Sequence, residues 1–145
     1  MNNPSKPNIA GRKKARRIAM QALYSWEMTQ NPISDIEEFT LSQHTEEVFD
    51  KDYFLTLLHA IPKQVDALDE FMQPFLSRKL EELGPIEITL LRIAGYELKE
   101  RLEIPYRVII NEALVLCKTF GANESYKFVN GVLDKMAREV RKTEF

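Results

Sequence analysis

Apolar residues recur at three- and four-residue steps along nearly the whole chain, and this spacing constrains the fold more than any other feature. The first such stripe comprises Ala15, Ile18, Ala19, Ala22, Leu23 and Trp26. This period places side chains on one face of an α-helix. Only five glycines occur among 145 residues, and prolines separate the periodic segments. The sequence therefore predicts an all-α fold of about seven helices joined by short loops.

Local signals predict where the first helices begin and end. The first should run from Arg12 to about Gln30, before an Asn-Pro stop. Ser34 and Glu37 have the spacing of a capping box and predict a second helix over roughly 35–43. Asp50 or Asp52 can cap a third, in which Pro62 predicts a kink or a break.

The second half of the chain carries similar signals. Pro85 and Pro105 suit the first turns of two helices, and Gly121 suits the end of the second. Asn123 is predicted to cap the last helix. Gly131 lies inside that helix at a cost of about 1 kcal/mol relative to alanine, which predicts close packing of a neighbouring helix there. The predicted organisation is a flexible tail over 1–10 and two packed three-helix subdomains, 11–79 and 80–145, in one compact unit.

Charge is segregated along the chain. Residues 1–30 hold six basic residues and one acid, whereas residues 31–60 hold seven acids and one base. The formal net charge is only −2, so the chain is not a general nucleic-acid coat. A basic end on such a chain indicates a localised site for a polyanion.

A helical projection of the first helix places cations, a ring and an amide away from the apolar stripe. Directly opposite are Lys13, Arg17, Met20 and Tyr24, with Gln21 beside them and Arg12 and Arg16 flanking the stripe. Cations can neutralise phosphates, a tyrosine can stack on an unpaired base, and a glutamine can bond to a base edge. The pattern predicts RNA binding. A solvated surface, a calmodulin-like partner or a membrane surface are the alternatives.

The residue pattern contains no arrangement typical of an enzyme active site. His44, His59 and Cys117 lack the spacing of metal ligands, and Cys117 lies in an apolar run typical of packing. No phosphate-binding glycine loop occurs, and no cofactor or metal is predicted. One cysteine indicates a reducing compartment, and no segment approaches the ~20 apolar residues of a membrane span. We therefore expect a cytoplasmic protein that is not an enzyme.

Four co-linear segments resemble the NusB family. They are RKKARR at 12–17 with AMQALYSW at 19–26, LGPIE at 83–87 with LRIAGYEL at 91–98, PYRVIINEA at 105–113, and KFVNGVLDK at 127–135. Together the matches extend over essentially residues 10–140.

This resemblance implies a transcription antitermination factor. Such a protein would bind the single-stranded box A sequence of ribosomal-operon transcripts together with small-subunit ribosomal protein S-ten, called NusE in this role. It would act on the RNA polymerase elongation complex with other Nus factors.

The resemblance also implies site residues. RNA contacts transfer to the arginine-rich start of the first helix (Arg12, Lys13, Arg16 and Arg17), to Gln21 and Tyr24, and to Glu124, Lys127 and Phe128 at the start of the last helix. Contacts with the ribosomal protein transfer to Glu87 and Arg92. Each of these two has an internal alternative, because Glu87 suits the first turn of a helix and Arg92 can pair with an acid inside the bundle.

Two other functions remain open at this stage. Members of the NusB family often carry Asp where this chain has Glu124 and His where it has Tyr126; an acid in an RNA site could accept from a base amino group or repel phosphates. The chain could be a stand-alone NusB-like accessory module of ribosomal RNA modification, although it leaves no room for a cofactor-binding domain. It could also be a protein-interaction adaptor whose basic helix meets an acidic partner.

Overall fold

The computed structural model describes residues 9–145, which form seven α-helices and no strand. The helices are α1 (Ile9–Thr29), α2 (Ile33–Gln43), α3 (Lys51–Lys63), α4 (Val65–Met72), α5 (Pro85–Glu100), α6 (Tyr106–Phe120) and α7 (Ser125–Val140). Short 3-10 turns lie at Gln73–Phe75, Leu80–Glu82 and Lys142–Glu144. The predicted all-α fold is confirmed. Of the predicted tail, residues 1–8 lie outside the described residues, and Ile9 and Ala10 already belong to α1.

The chain divides into two compact units, one ending at Ala60 and the other comprising Ile61–Phe145. In the first unit α2 packs on α1. In the second unit α5, α6 and α7 pack against one another in pairs, and α4 packs on α5. The boundary predicted from the sequence, between residues 79 and 80, stays a prediction.

Proline and aspartate chemistry determines how the first helices begin and end. Asp50 caps α3 as predicted, since its Oδ1 accepts a hydrogen bond of 3.0 Å from the backbone N–H of Tyr53. The break predicted near Pro62 is confirmed, because α3 ends at Lys63 and α4 begins at Val65. Proline lacks the N–H that a continuous helix requires and its ring crowds the preceding turn.

Two predicted caps are wrong. Ser34 does not cap α2, because the helix begins at Ile33 and Pro32 occupies the cap position without a side-chain hydrogen bond. The carbonyl of Pro32 accepts the first backbone bonds, and the fixed φ of proline favours this start. Asn123 does not cap α7 either, since Glu124 holds that position.

Two of the helical glycines, Gly95 and Gly131, have opposite surroundings. A Cβ at Gly95 would lie 3.0 Å from the Cε of Met136, so α5 and α7 approach closely there. A Cβ at Gly131 would meet nothing within 4 Å. The close packing predicted at Gly131 is therefore wrong, and the position that requires a small residue is Gly95.

Arg141, which follows α7, binds the end of α5 and the segment after it within the second unit. Only 4% of this residue is exposed, and it uses all five guanidinium N–H groups. Its Nη1 donates to the Glu144 carboxylate at 2.6 Å. The other bonds, of 2.8–3.2 Å, go to the carbonyls of Glu97, Leu98, Arg101 and Ile104. The last carbonyls of a helix have no partner within it, and Arg141 supplies one to Leu98 in the last turn of α5. Its other bonds hold the segment that follows α5 and add to the bond that the Glu97 carbonyl accepts from the backbone N–H of Arg101.

Candidate nucleic-acid interface

One face of α1 is a row of exposed polar side chains, which we call the α1 row: Lys13, Arg17, Gln21 and Ser25. Lys13, Arg17 and Gln21 are exposed, while Ser25 is half-buried. Residues four apart lie on the same side of a helix and are separated by about 6 Å along its axis. Tyr24 is half-buried beside this row. The predicted grouping of cations, amide and ring on one side of α1 is thus present.

The buried side of α1 is wider than predicted. Met20, expected to face solvent, is 1% exposed, and Arg16 is 4% exposed. Trp26, expected in the stripe, is only half-buried. The reason is that α1 is covered from more than one side, since α2 packs on it and Tyr53 of α3 also contacts it.

Two of the predicted RNA-binding arginines pack on Tyr53. The guanidinium carbon of Arg12 lies 4.4 Å from the ring centroid, and that of Arg16 lies 5.5 Å away. A cation over a tyrosine ring is attracted by the negative π face. Arg16 is thus a buried packing residue in this structure, and its role as an RNA contact stays a prediction, while the half-buried Arg12 retains some accessible surface.

An acid from outside α1 meets the basic face. Glu47, in the segment after α2, lies 3.4 Å from Lys14 Nζ and 3.6 Å from Arg17 Nη2. A hydrogen bond with His44 is the main cause that lowers the pKa of Glu47 below its ordinary value, and Lys14 contributes further. Glu47 is therefore ionised at neutral pH and partly neutralises these cations. Lys13 is exposed and pairs with no acid among residues 9–145.

The start of α7 presents the second group of predicted residues. Glu124 and Lys127 are exposed, and Phe128 is half-buried. Glu124 holds the N-cap position, where a negative charge is favoured by the helix dipole without any ligand. Sequence reasoning missed Arg78, whose guanidinium carbon lies 3.8 Å from the centroid of the Phe128 ring. The only sequence signal for it was the basic pair Arg78-Lys79 in an otherwise unassigned turn.

The two residues predicted to contact a protein partner are occupied internally. Arg92 is 7% exposed and forms a two-pronged ion pair with Asp69 of α4, with bonds of 2.9 and 2.8 Å. Glu87 is 8% exposed; its Oε1 accepts the N–H of Gly84 at 2.9 Å, and its Oε2 lies 3.5 Å from Arg78. Both residues therefore have the intramolecular roles that the sequence allowed as alternatives, and we assign neither to a surface for a protein partner.

The cysteine and the two histidines also lie in environments typical of structural residues. Cys117 is fully buried, and burial raises the pKa of its thiol above the ordinary value, which disfavours the nucleophilic thiolate. His44 and His59 each bond to a glutamate. Across the described part of the chain, no three potential ligands form a metal-binding group. None of its helices is long and apolar enough to cross a membrane.

Comparison with protein families adds an independent finding. The model of the NusB family matches residues 13–138. A protein of Alcanivorax borkumensis named transcription antitermination protein NusB is 49% identical, over 99% of this chain and 95% of its own length. A protein of the same name from Idiomarina loihiensis is 51% identical over 92% of this chain and 96% of its own.

Solved structures share the fold. The structure of T. maritima NusB superposes with a TM-score of 0.78 at 29% identity, and it covers 100% of this chain and 99% of its own. A second structure, described as antitermination factors NusB and NusE in complex with double-stranded RNA, has a TM-score of 0.78 at 22% identity. It covers 91% of this chain and 99% of its own.

Proposed function

The chain belongs to the NusB family, and from this premise we propose that it is an RNA-binding transcription antitermination factor. NusB proteins are not enzymes, and the expectation of no catalysis accords with this membership. The observation that carries the proposal is the match to relatives of that name at about half identity over nearly the full length of both chains.

The proposed ligand is the box A sequence of nascent ribosomal-operon transcripts. Lys13 and Arg17 contact phosphates, and Gln21 and Tyr24 contact bases. Their arrangement on one side of α1 supports these roles, since cations and rings at helical spacing suit a flexible single strand. At the start of α7, Lys127 neutralises phosphate and Phe128 offers a ring for stacking.

The proposed assembly includes ribosomal protein S-ten (NusE), the RNA polymerase elongation complex and other Nus factors, in the cytoplasm. The solved complex of a related fold contains NusB, NusE and RNA, and this supports the first of these partners. Because Glu87 and Arg92 are buried, the surface that meets the ribosomal protein is proposed to lie elsewhere on the chain.

A direct experiment compares binding of a box A oligonucleotide with that of a scrambled one of equal length, with and without ribosomal protein S-ten. An antitermination factor should prefer box A, and the ribosomal protein should raise its affinity. An accessory module of RNA modification should bind ribosomal RNA elsewhere. A protein-interaction adaptor should show no sequence preference, and that result would contradict the proposal.

Salt dependence locates the site on the chain. Lys13→Ala should lower the slope of log affinity against log salt by about 0.7, the value for one phosphate contact on a single strand. The matched control is Lys51→Ala, an exposed lysine at the start of α3 that is not on the α1 row. An equal slope for wild type and Lys13→Ala would place the RNA elsewhere.

A further inference from the structure

A cleft with a mixed apolar and polar lining lies between α1 and α2, within the first unit. Its volume is about 530 Å³, in the range of small-molecule sites. On the α1 side it is lined by Gln21 and Ser25, the second half of the α1 row. The cleft therefore continues directly from Lys13 and Arg17.

The opposite wall is built from two rows of α2. Asp35, Phe39 and Gln43, four residues apart, are all exposed and form the rim, and 66% of Phe39 is exposed. Ile36 and Thr40, on the adjacent row, are buried and form the floor. An exposed ring beside a cleft offers a face on which a flat group can stack.

Of the polar side chains that line this cleft, His44 is bonded to Glu47. The side chains of Gln21, Asn31, Gln43 and Thr40 make no hydrogen bond to any residue of the described range 9–145. Thr40 is notable because it is 8% exposed and yet faces the cleft. Amides and a hydroxyl both donate and accept, which matches the mixed donors and acceptors on the edge of a nucleobase.

We infer that the α1–α2 cleft receives one unpaired nucleobase of the bound RNA, stacked on Phe39 and held at its edge by Gln21 and Gln43. The inference rests on the proposed function and adds a base-binding site to it. Continuity of the α1 row supports this occupant. Lys13 and Arg17 hold the RNA backbone, and Gln21 and Ser25, the next two residues of the row, line the cleft. The carboxylate of Asp35 at the rim disfavours a phosphate there and can accept from an exocyclic amino group.

The test combines a protein variant with an RNA variant. Phe39→Ala should weaken binding of the box A oligonucleotide about 5- to 150-fold, the range for loss of one stacked base. Its salt slope should match that of wild type, because no phosphate contact is lost. Phe39→Tyr should restore binding, and Met28→Ala, which removes an exposed apolar side chain of α1 outside the cleft, should leave it unchanged.

Abasic substitution then identifies the base. When each nucleotide of box A is made abasic in turn, one position should cost wild type at least the factor that Phe39→Ala costs, and should cost the variant clearly less than it costs wild type. If every abasic position weakened wild type and Phe39→Ala equally, the inference would be wrong. It would also be wrong if Phe39→Ala changed only self-association in sedimentation.

The two proposals fail in distinguishable ways. A wild-type chain without preference for box A contradicts the proposed function, and the inference about the cleft with it. A wild-type chain that keeps this preference, while Phe39→Ala binds as tightly as Met28→Ala, overturns the cleft alone.

Discussion

Replacement of Arg141 tests how the second unit is held together. Methionine is unbranched and of comparable length to the aliphatic part of arginine. Arg141→Met therefore keeps that apolar part but removes all five hydrogen-bond donors. Four backbone carbonyls and the carboxylate of Glu144 then lose a partner in a region where Arg141 itself is 4% exposed.

The magnitude follows from what is left unpaired. The carbonyls of Glu97 and Arg101 keep the backbone N–H groups of Arg101 and Ile104 as partners, whereas those of Leu98 and Ile104 lose Arg141. A buried acceptor without a partner costs about 1–3 kcal/mol. The individual bonds share one guanidinium, so their energies are not additive. Glu144 is exposed and stays solvated, so the two carbonyls left without a partner dominate, and we expect Arg141→Met to lower the free energy of unfolding by about 2–4 kcal/mol.

Urea unfolding followed by circular dichroism measures this change, provided the slope against urea is the same in both proteins. The matched control is Arg138→Met in the last turn of α7, the helix that ends just before Arg141; the Arg138 side chain is 62% exposed and pairs with Asp134. An exposed pair of this kind contributes about 0–1 kcal/mol. If Arg141→Met were no less stable than Arg138→Met, the assignment of Arg141 as the cap of α5 would be refuted.

Three further predictions concern single side chains. The pKa of Glu144 is lowered chiefly by Arg141, so its stabilisation should be present above the ordinary value of 4.5 and lost as pH falls through the lowered value. The free energy of unfolding, measured from pH 7 to pH 3, should therefore fall less steeply with acid in Glu144→Gln than in wild type, and equal profiles would contradict this. Gly131→Ala should raise the free energy of unfolding by about 1 kcal/mol because a Cβ there meets nothing, whereas Gly95→Ala should lower it; equal effects in urea unfolding would contradict this difference. Glu47→Gln should tighten RNA binding and steepen its salt dependence, because Lys14 and Arg17 no longer have an internal counter-charge, whereas the exposed neighbour variant Glu46→Gln should change neither.

Local features were predictable from the sequence because their physics is local. The helical period of apolar residues gave the fold class, and Pro62, Asp50 and Gly121 act within one or two turns of themselves. The outward direction of Lys13 and Arg17 follows from the same period.

Features that depend on distant segments were not predictable. The burial of Arg16 and Met20 results from coverage of α1 by other elements, and a single-helix projection assumes one buried side. Arg92 finds Asp69 23 residues away, and the sequence pattern gave no means to choose that acid. The α1–α2 cleft likewise exists only after two helices pack, although each of its walls is an ordinary four-residue row.

The contact between Arg78 and Phe128 limits how the proposed RNA complex could use this ring. With the guanidinium 3.8 Å from the ring centroid, one π face is already covered, and a base can stack only on the other. In the proposed RNA complex the ring would therefore be the middle layer of a three-layer stack and could not intercalate between two successive bases. Because the cation draws electron density toward itself, the open face becomes less negative and favours electron-rich purines over pyrimidines.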